Sequence, residues 1–498
     1  MKAIITAFEF FFLLFLVHCS SSVRADESCG NLKKLDYEYF GTKTIYEDAR
    51  KYLRRVDDDD LPKPFDDDSL AKEDKELRED DSCQPLVFYF IGRHTARFPD
   101  ASDIEEYNKH LYELIEKIKT NKACSSIRNE FLTWRSKMEP KHDNLITDLG
   151  GREERNIARR FKSIYPEFFD TKTADVKIGV TKKWRTAQTG AQFLQQVDGL
   201  ELEGCNNSSL PTNDVDRPDY NLDKVLEARC YKKMIETYEK PFLEFHKICD
   251  DIRGGEKAKE PLVERVKSPQ LKKRIADRVA KRLGLDYRGD NAPVTVPVLE
   301  SIYNMCKFEN AIKDDSVWCK LFDKKDVQAL EYMEDVSSYI KSAYGPRANP
   351  KQSCPLVGDL LEAFHEATKM SNSDKKRSYF YFSHADPIKK LLATFGMFRD
   401  DQNFSESKIR EFEQDLKVPK KRHWRSSVIV PFSANLAFIM YRCPKSNGQT
   451  KYKILATVTE QPVKLGGCKD TDCNAVKFFD TYDSMRSCDM MKICSPSA

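Results

Sequence analysis

Two arginines and a histidine lie close together in residues 92–99, which read Gly-Arg-His-Thr-Ala-Arg-Phe-Pro. The planar guanidinium groups of Arg93 and Arg97 suit the oxygens of a phosphate, which they can bind through paired hydrogen bonds. The imidazole of His94 can act between them as a nucleophile or a base. The structural alternative is a basic loop without a catalytic role, whose side chains pair with acidic neighbours. The residue types and their spacing therefore favour a phosphate site that carries its own nucleophile.

Two further segments carry side chains of the same kind. Arg185 follows Lys182 and Lys183 and would add a third guanidinium group for the same anion. His384 and Asp386 add an imidazole and a carboxyl group at the start of a predicted helix, whose N-terminus also favours a bound anion. Asp386 alone could equally be a helix-capping residue. The two lysines suit a substrate with several phosphates, or they are simply solvated.

Each of the three segments directly follows a predicted strand. Residues 86–91 form a continuous apolar, aromatic and β-branched run, which is typical of a strand buried on both faces. Residues 176–180 and 379–382 are further strand candidates, and 428–430 and 436–440 add two more. Ligands of open α/β sheets bind beyond the carboxyl ends of the strands, so we expect the three segments to meet there.

The division of the chain follows from where the strand and helix patterns occur. Residues 1–25 are predicted to be a signal peptide, and residues 26–82, with two acidic clusters, an extended acidic lead-in. Residues 83–204 and 376–498 both supply strands and are predicted to form one α/β core with a mainly parallel sheet flanked by helices. Between them, the long charged amphipathic segments of residues 205–375 indicate a helical cap insertion.

Composition limits the class of protein. The chain has 498 residues, of which 40% are hydrophobic and 33% charged, and this excludes wholesale disorder. Its 83 basic and 80 acidic residues nearly balance, so the composition does not indicate a nucleic-acid binder and any cationic site must be local. No segment after the first 25 residues is apolar enough to predict a membrane span.

The N-terminus and the cysteines predict where the protein resides. An apolar run at residues 10–17, followed by small residues, is typical of a cleavable signal peptide rather than of an anchor. Cleavage would remove Cys19 and leave an even number of cysteines, as full disulfide pairing requires. Sequons at Asn206, Asn207 and Asn403 predict surface glycosylation. We therefore expect a secreted protein, or one in the lumen of the secretory pathway.

The segments that carry the chemistry resemble those of a known family. Residues 93–99 are similar to the Arg-His-Gly-x-Arg-x-Pro signature of histidine acid phosphatases. Residues 384–386, His-Ala-Asp, are similar to the His-Ala-Glu of their multiple inositol polyphosphate phosphatase branch. Segments at 39–48, 316–323 and 425–436 also resemble that branch, so the resemblance covers most of the chain beyond the predicted signal peptide.

The resemblance implies a histidine-phosphatase core, related to that of phosphoglycerate mutase, and a secreted phosphomonoesterase acting on inositol polyphosphates such as phytate. His94 would attack the phosphorus and form a phosphohistidine that water hydrolyses, and Asp386 would protonate the departing alcohol oxygen. Arg93, Arg97 and Arg185 would hold the phosphate, joined by His384, which the resemblance also implies to be a catalytic residue. No metal or other cofactor is expected, because phosphoryl transfer relies on positioning and on cations aimed at the phosphate oxygens.

Two residues depart from the family pattern. Thr95 stands where the family has glycine, and Asp386 stands where the branch has glutamate. Two other functions stay open: a phosphatase of broader specificity, including bisphosphoglycerate-like esters, and a binding protein that keeps the arginine pocket without turnover. The expected partner is a small phosphorylated molecule rather than a nucleic acid, and the sequence does not predict the oligomeric state.

Overall fold

The structure, a computed structural model, describes residues 39–53, 68–80, 82–120, 125–200, 242–252, 260–288, 292–313, 316–346, 348–444 and 450–495. The predicted signal peptide and the sequons at Asn206 and Asn207 lie outside these residues. Asn403 is half-buried, and its Nδ2 donates hydrogen bonds to Asp400 Oδ1 at 2.9 Å and to the Lys421 carbonyl at 3.1 Å. Its glycosylation stays a prediction.

A β-sheet forms the centre of the described structure. Its strands are β1 Gln84–Arg93, β2 Ala174–Val180, β3 Lys376–Ser383, β4 Asn435–Pro444, β5 Thr450–Val458, β6 Gln461–Val463 and β7 Asp472–Asn474. Their order is β2-β3-β1-β4-β5-β6, with β7 paired to β5. β1 and β2 both pair in parallel with β3, whereas β4 pairs antiparallel with β1 and the strands after it are antiparallel too.

The sheet is therefore mixed, and the prediction of a mainly parallel sheet was wrong for its second half. Only residues 445–449 separate β4 from β5, which is too few for the crossover connection that a parallel pair needs. The α/β character itself is confirmed. The three strands that precede the candidate site segments are the three that run parallel, so their carboxyl ends share one edge of the sheet.

Helices surround this sheet. In chain order they are α1 Tyr46–Leu53, α2 Ser69–Lys75, α3 Ala101–Thr120, α4 Ser125–Thr133, α5 Asp148–Ile164, α6 Trp184–Leu194, α7 Ile248–Ile252, α8 Pro261–Val266, α9 Pro269–Arg282, α10 Val296–Lys313, α11 Lys324–Ser338, α12 Ala348–Lys351, α13 Cys354–Ala367, α14 Ala385–Thr394, α15 Glu406–Asp415, α16 Ser426–Ile429, α17 Ala475–Tyr482 and α18 Met490–Cys494. Single turns of 3-10 or π helix occur at Gly41–Lys43, Glu76–Asp80, Pro140–His142, Pro166–Phe168, Phe245–Lys247, Val317–Leu321, Tyr339–Tyr344 and Asp483–Arg486.

Both faces of the sheet are covered, as the apolar run of β1 predicts. Val87, Tyr89 and Ile91 belong to one apolar cluster, and Phe88 and Phe90 belong to a second cluster on the opposite face. Helices α13 and α14 supply the first face, and α5 and α6 supply the second. A strand buried on both faces needs no alternation of polar residues, which is why β1 reads as a continuous apolar run.

Two local predictions were wrong. Val428-Ile429-Val430 was expected to be a strand, yet residues 426–429 form the one-turn helix α16. A short apolar run does not distinguish a buried strand from a buried helical turn. The lead-in was expected to be extended, but its described parts contain α1 and α2. Its aromatic residues Phe40 and Tyr46 are fully buried, and this packing orders the segment despite its charge.

The described part of the chain contains disulfides, as the cysteine content predicted, and three of them join segments that are distant in sequence. Cys83–Cys443 joins the start of β1 to β4, and the other described pairs are Cys249–Cys494, Cys306–Cys319, Cys354–Cys488 and Cys468–Cys473. None of the described helices is long and apolar enough to cross a membrane.

Candidate active site

The parallel strands bring the predicted histidines together. His94 follows β1 and His384 follows β3, and the His94 amide donates to the Ser383 carbonyl at 3.0 Å. The two imidazole centroids are 5.7 Å apart. Thr181, which follows β2, places its hydroxyl 3.0 Å from Nε2 of His384. The three strand ends thus form a single site, as the sequence predicted.

A single hydrogen bond fixes the tautomer of His94. Its Nδ1 lies 3.0 Å from the Thr95 carbonyl oxygen, which can only accept a hydrogen bond, so Nδ1 carries the proton and Nε2 carries the lone pair. Burial lowers the pKa of His94 well below its usual range, and the nearby Arg93 and Arg185 lower it further. The imidazole is therefore neutral at mildly acidic pH, and its Nε2 can attack an electrophile.

The three predicted arginines all lie close enough to His94 to lower its pKa. Arg93 is 1% exposed and donates from Nη1 to the carbonyls of Thr42 at 2.5 Å and Val430 at 3.1 Å. Arg185 donates to Asn144 Oδ1 at 2.9 Å. Burial lowers the pKa of Arg93 to about 9 and that of Arg185 to about 10, with repulsion from the neighbouring arginines adding to both. Such mutual repulsion is relieved by an anion between the guanidinium groups.

Several buried donors of these residues have no protein partner in the described part of the chain. They are Nε of Arg93, Arg97 and Arg185, and the ring atom Nδ1 of His384 has no partner there either. Leaving a buried polar group unpaired is unfavourable unless a ligand or water pairs with it. The cluster of unpaired donors around a neutral histidine is suited to the oxygens of a phosphoryl group.

Asp386 lies in the first turn of α14, but it does not cap that helix. His384 occupies the capping position, and no side chain makes the capping hydrogen bond. Asp386 Oδ1 instead lies 3.1 Å from both Ser342 Oγ and Lys389 Nζ. The Lys389 ammonium holds the pKa of Asp386 below its usual range, with His246 acting in the same direction. The carboxyl group is therefore ionised in the ligand-free site, whereas the predicted proton donor must be protonated.

A cavity of about 650 Å³ opens beside these residues. Arg97 and Asp386 line it, and helices of the predicted cap insertion form much of its wall. Its cationic lining, besides Arg97, consists of Lys43, Lys267, Lys307, Lys341, Lys389 and Lys390. Lys182 and Lys183 are exposed and do not line it. Five carboxylates, those of Asp103, Asp250, Glu260, Glu334 and Asp386, line it as well. The lysines near the site are therefore not the two that the sequence suggested, and they share the cavity with acidic side chains.

These lysines were missed because they come from distant parts of the sequence. Lys267 follows α8, Lys307 lies on α10, and Lys341 follows α11. No local spacing connects them. Lys43 had a signal, since it lies in the segment 39–48 that resembles the phosphatase branch. Burial lowers the pKa of Lys43 well below its usual range, and Arg97 and Arg93 lower it further.

Metal ligation was not expected, and no group of three or more His, Cys, Asp or Glu side chains forms a possible metal site among the described residues.

A neutral imidazole beside unpaired guanidinium donors, at the carboxyl ends of parallel strands, defines an α/β protein that transfers phosphoryl groups. The chain belongs to the histidine phosphatase superfamily (branch 2), whose family model matches residues 89–456. The predicted family is thus confirmed.

Relatives of the whole chain carry related names. The chain is 26% identical to multiple inositol polyphosphate phosphatase 1 of Gallus gallus, and the match covers 92% of each chain. It is 24% identical to the protein of the same name in Homo sapiens, over 92% of this chain and 88% of the relative. It is 21% identical to phytase A of Aspergillus oryzae, over 84% of this chain and 85% of the relative.

Solved structures share the fold. The crystal structure of the phytase from D. castellii matches 83% of this chain and 82% of its own, with a TM-score of 0.58 and 14% identity. The multiple inositol polyphosphate phosphatase of Bifidobacterium longum, in complex with inositol hexasulfate, matches 87% of this chain and 94% of its own. Its TM-score is 0.55 at 12% identity.

Proposed function

We propose that this protein is a phosphomonoesterase that hydrolyses inositol polyphosphates such as phytate through a phosphohistidine. The observation that carries the proposal is the neutral His94 beside the unpaired donors of Arg93, Arg97 and Arg185, of which Arg97 also lines a cavity that contains six lysines. The relatives named as inositol polyphosphate phosphatases and phytases support the substrate class.

The chemistry proceeds in two displacements. Nε2 of His94 attacks the phosphorus, the ester P–O bond breaks, and its electron pair leaves with the alcohol oxygen. Asp386 gives that oxygen a proton. Water then attacks the phosphohistidine, its proton passes to the Asp386 carboxylate, and inorganic phosphate leaves with the P–N bond broken. The arginines hold the equatorial oxygens throughout.

The low pKa of Asp386 is compatible with this role once substrate is bound. Phosphates in the cavity add negative charge close to the carboxyl group and offset the field of Lys389, so they raise the pKa of Asp386. A substrate with several phosphates does this more strongly than one with a single phosphate. The same argument favours polyphosphates over simple monoesters, the broader substrate class that the sequence left open.

The test is phosphate release from phytate and from a simple monoester by the purified protein between acidic and neutral pH, with a chelator present. Wild type is expected to release phosphate and His94→Ala to release none. His365→Ala is the matched control, because His365 lies on α13, paired with Asp483 at 3.0 Å, and does not line the cavity. Phytate binding by a folded wild-type protein without release would instead identify a binding protein, and equal use of the monoester a phosphatase of broad specificity.

We also propose that the protein is secreted or resides in the lumen of the secretory pathway, glycosylated at one or more of Asn206, Asn207 and Asn403. The disulfides support this location, because cytosolic thiols are kept reduced. Mass measurement of protein from the culture medium of expressing cells, before and after enzymatic deglycosylation, tests both statements.

A further inference from the structure

Thr95, directly after the nucleophile, is fully buried and makes hydrogen bonds through three groups. Its hydroxyl donates to the Gly150 carbonyl at 2.8 Å, and its amide donates to Thr189 Oγ1 at 3.1 Å. Its carbonyl oxygen is the group 3.0 Å from Nδ1 of His94. The side chain that replaces the family glycine therefore points into the protein, toward Gly150.

The contacts of Thr95 determine the direction of the attacking lone pair. The carbonyl oxygen of Thr95 fixes the His94 tautomer. Thr95 is itself held by Gly150 through its hydroxyl and by Thr189 through its amide. The Thr189 hydroxyl in turn donates to the Arg185 carbonyl at 2.7 Å. Thr95 therefore links the histidine segment to the arginine at the start of α6.

Gly150 is shaped to receive this side chain. It lies in the first turn of α5, and a Cβ atom there would be 2.8 Å from Thr95 Oγ1, 2.9 Å from Thr95 Cγ2 and 2.6 Å from the Ala96 carbonyl oxygen. Real Cβ atoms essentially never come this close to another heavy atom. Thr147, the N-cap of α5, donates from its amide to the same Ala96 oxygen at 2.8 Å. The catalytic segment and the start of α5 thus interlock.

We propose that Thr95 is a positioning residue that orients His94 for attack, and that Gly150 is its structural partner. In this chain the contact between Thr95 and Gly150 holds the catalytic segment, where glycine at position 95 would leave the backbone free. The glycine found in the family is therefore the worse residue here. The inference rests on the proposed phosphatase function, because its measured quantity is turnover.

The experiment compares Thr95→Gly with Thr95→Ser, which keeps the hydroxyl, and with Thr457→Gly. Thr457 is equally buried, but it lies on β5, two strands from β1. We expect T95G to lower kcat for phytate about tenfold or more with KM within about twofold, because a small misplacement of reacting groups is costly. T95S should restore kcat to within about threefold, and T457G should keep it while lowering the thermal midpoint.

Every outcome of this experiment either supports or overturns the positioning role of Thr95. Wild-type kcat in T95G, or an equal loss in T457G without recovery in T95S, would overturn the positioning role. Should T95G not fold, Thr95→Val replaces it, since valine keeps the shape and removes the hydroxyl. The kcat of T95V must then be lower than that of T95S. A wild-type protein that releases no phosphate would refute the proposed function instead, which separates the two failures.

Discussion

Lowered pKa values leave the two titratable groups that we propose to act on the substrate in different charge states, with His94 neutral and Asp386 ionised. Burial among arginines keeps His94 neutral, so it has a lone pair. The adjacent Lys389 keeps Asp386 ionised until substrate phosphates offset its field. The sequence identified both residues by motif, but it did not show Lys389 as the partner, because a lysine three residues later on a helix is usually solvated.

At this scale, Lys389→Gln is predicted to move the alkaline limb of the kcat–pH profile to higher pH. Turnover needs a protonated Asp386 and therefore falls as pH rises through the pKa of that group in the complex. Removing the positive charge raises this pKa toward its ordinary value. The measurement is kcat for phytate at saturating substrate across acidic to neutral pH.

Lys390→Gln is the control for that shift. Lys390 also lines the cavity, but it donates to Asn349 Oδ1 at 3.1 Å and lowers the pKa of Asp386 less than Lys389 does. Its profile should move less. An alkaline limb that stays in place or moves to lower pH in K389Q would show that Asp386 is not the group that titrates.

At the scale of elements, the sheet positions the groups that we propose to react, and the cap helices carry lysines that we propose to bind the substrate. The residues that we propose to react follow the ends of β1, β2 and β3, and each was visible in sequence because a local motif follows the strand. Lys267, Lys307 and Lys341 line the same cavity from helices or turns in the predicted insertion. Their meeting depends on helix packing, which periodicity does not reveal.

Removing cap lysines is predicted to weaken polyphosphate binding selectively. Lys267→Met with Lys341→Met should raise KM for phytate about tenfold, change kcat little, and leave KM for a simple monoester almost unaffected, since we propose that these lysines bind phosphates other than the one transferred. Lys325→Met is the matched control, because Lys325 is exposed on α11 and does not line this cavity. Equal rises for both substrates would contradict a polyphosphate pocket.

Helix α1 of the lead-in is joined to α5 by a buried carboxyl group. Glu153 accepts hydrogen bonds from the amides of Glu47 at 3.0 Å and Tyr46 at 3.4 Å, at the start of α1. Burial raises the pKa of Glu153 to about 8. The folded protein thus binds the Glu153 proton more tightly than the unfolded chain does. Protonated Glu153 stabilises the fold at pH values below its pKa in the unfolded chain, and this stabilisation is lost as pH rises toward about 8.

Glu153→Gln is accordingly predicted to reduce the loss of stability on going from pH 5 to pH 8. The neutral amide keeps an acceptor for the helix amides and has no proton to lose. The free energy of unfolding in denaturant, measured at several pH values, should decline less steeply in the variant than in wild type. Parallel declines would mean that Glu153 does not titrate in this interval.

On the scale of the whole molecule, the sequence predicted what depends on neighbouring residues and missed what depends on distant ones. The buried run of β1 and the segments after β1, β2 and β3 were read correctly. Three features were not predicted, because each arises from tertiary packing. They are the direction of β4 and β5, the ordered helices of the lead-in and the lysines that line the cavity. Phe40 illustrates this, since it is fully buried although the lead-in as a whole was predicted to be extended from its acidic clusters.

Cys83–Cys443 is predicted to stabilise the whole fold without affecting the chemistry. It joins residues 360 apart in sequence, next to the amino end of β1, and the site lies at the other end, about 30 Å away along the strand. Replacing both cysteines with serine should lower the free energy of unfolding by about 2 to 4 kcal/mol and leave kcat unchanged at low temperature. The same replacement at Cys468–Cys473, which closes a loop with a separation of only 5, should cost less because a short loop restricts the unfolded chain less. Equal losses at the two pairs, measured by denaturant unfolding without reductant, would show that loop length does not determine the contribution of the longer bridge.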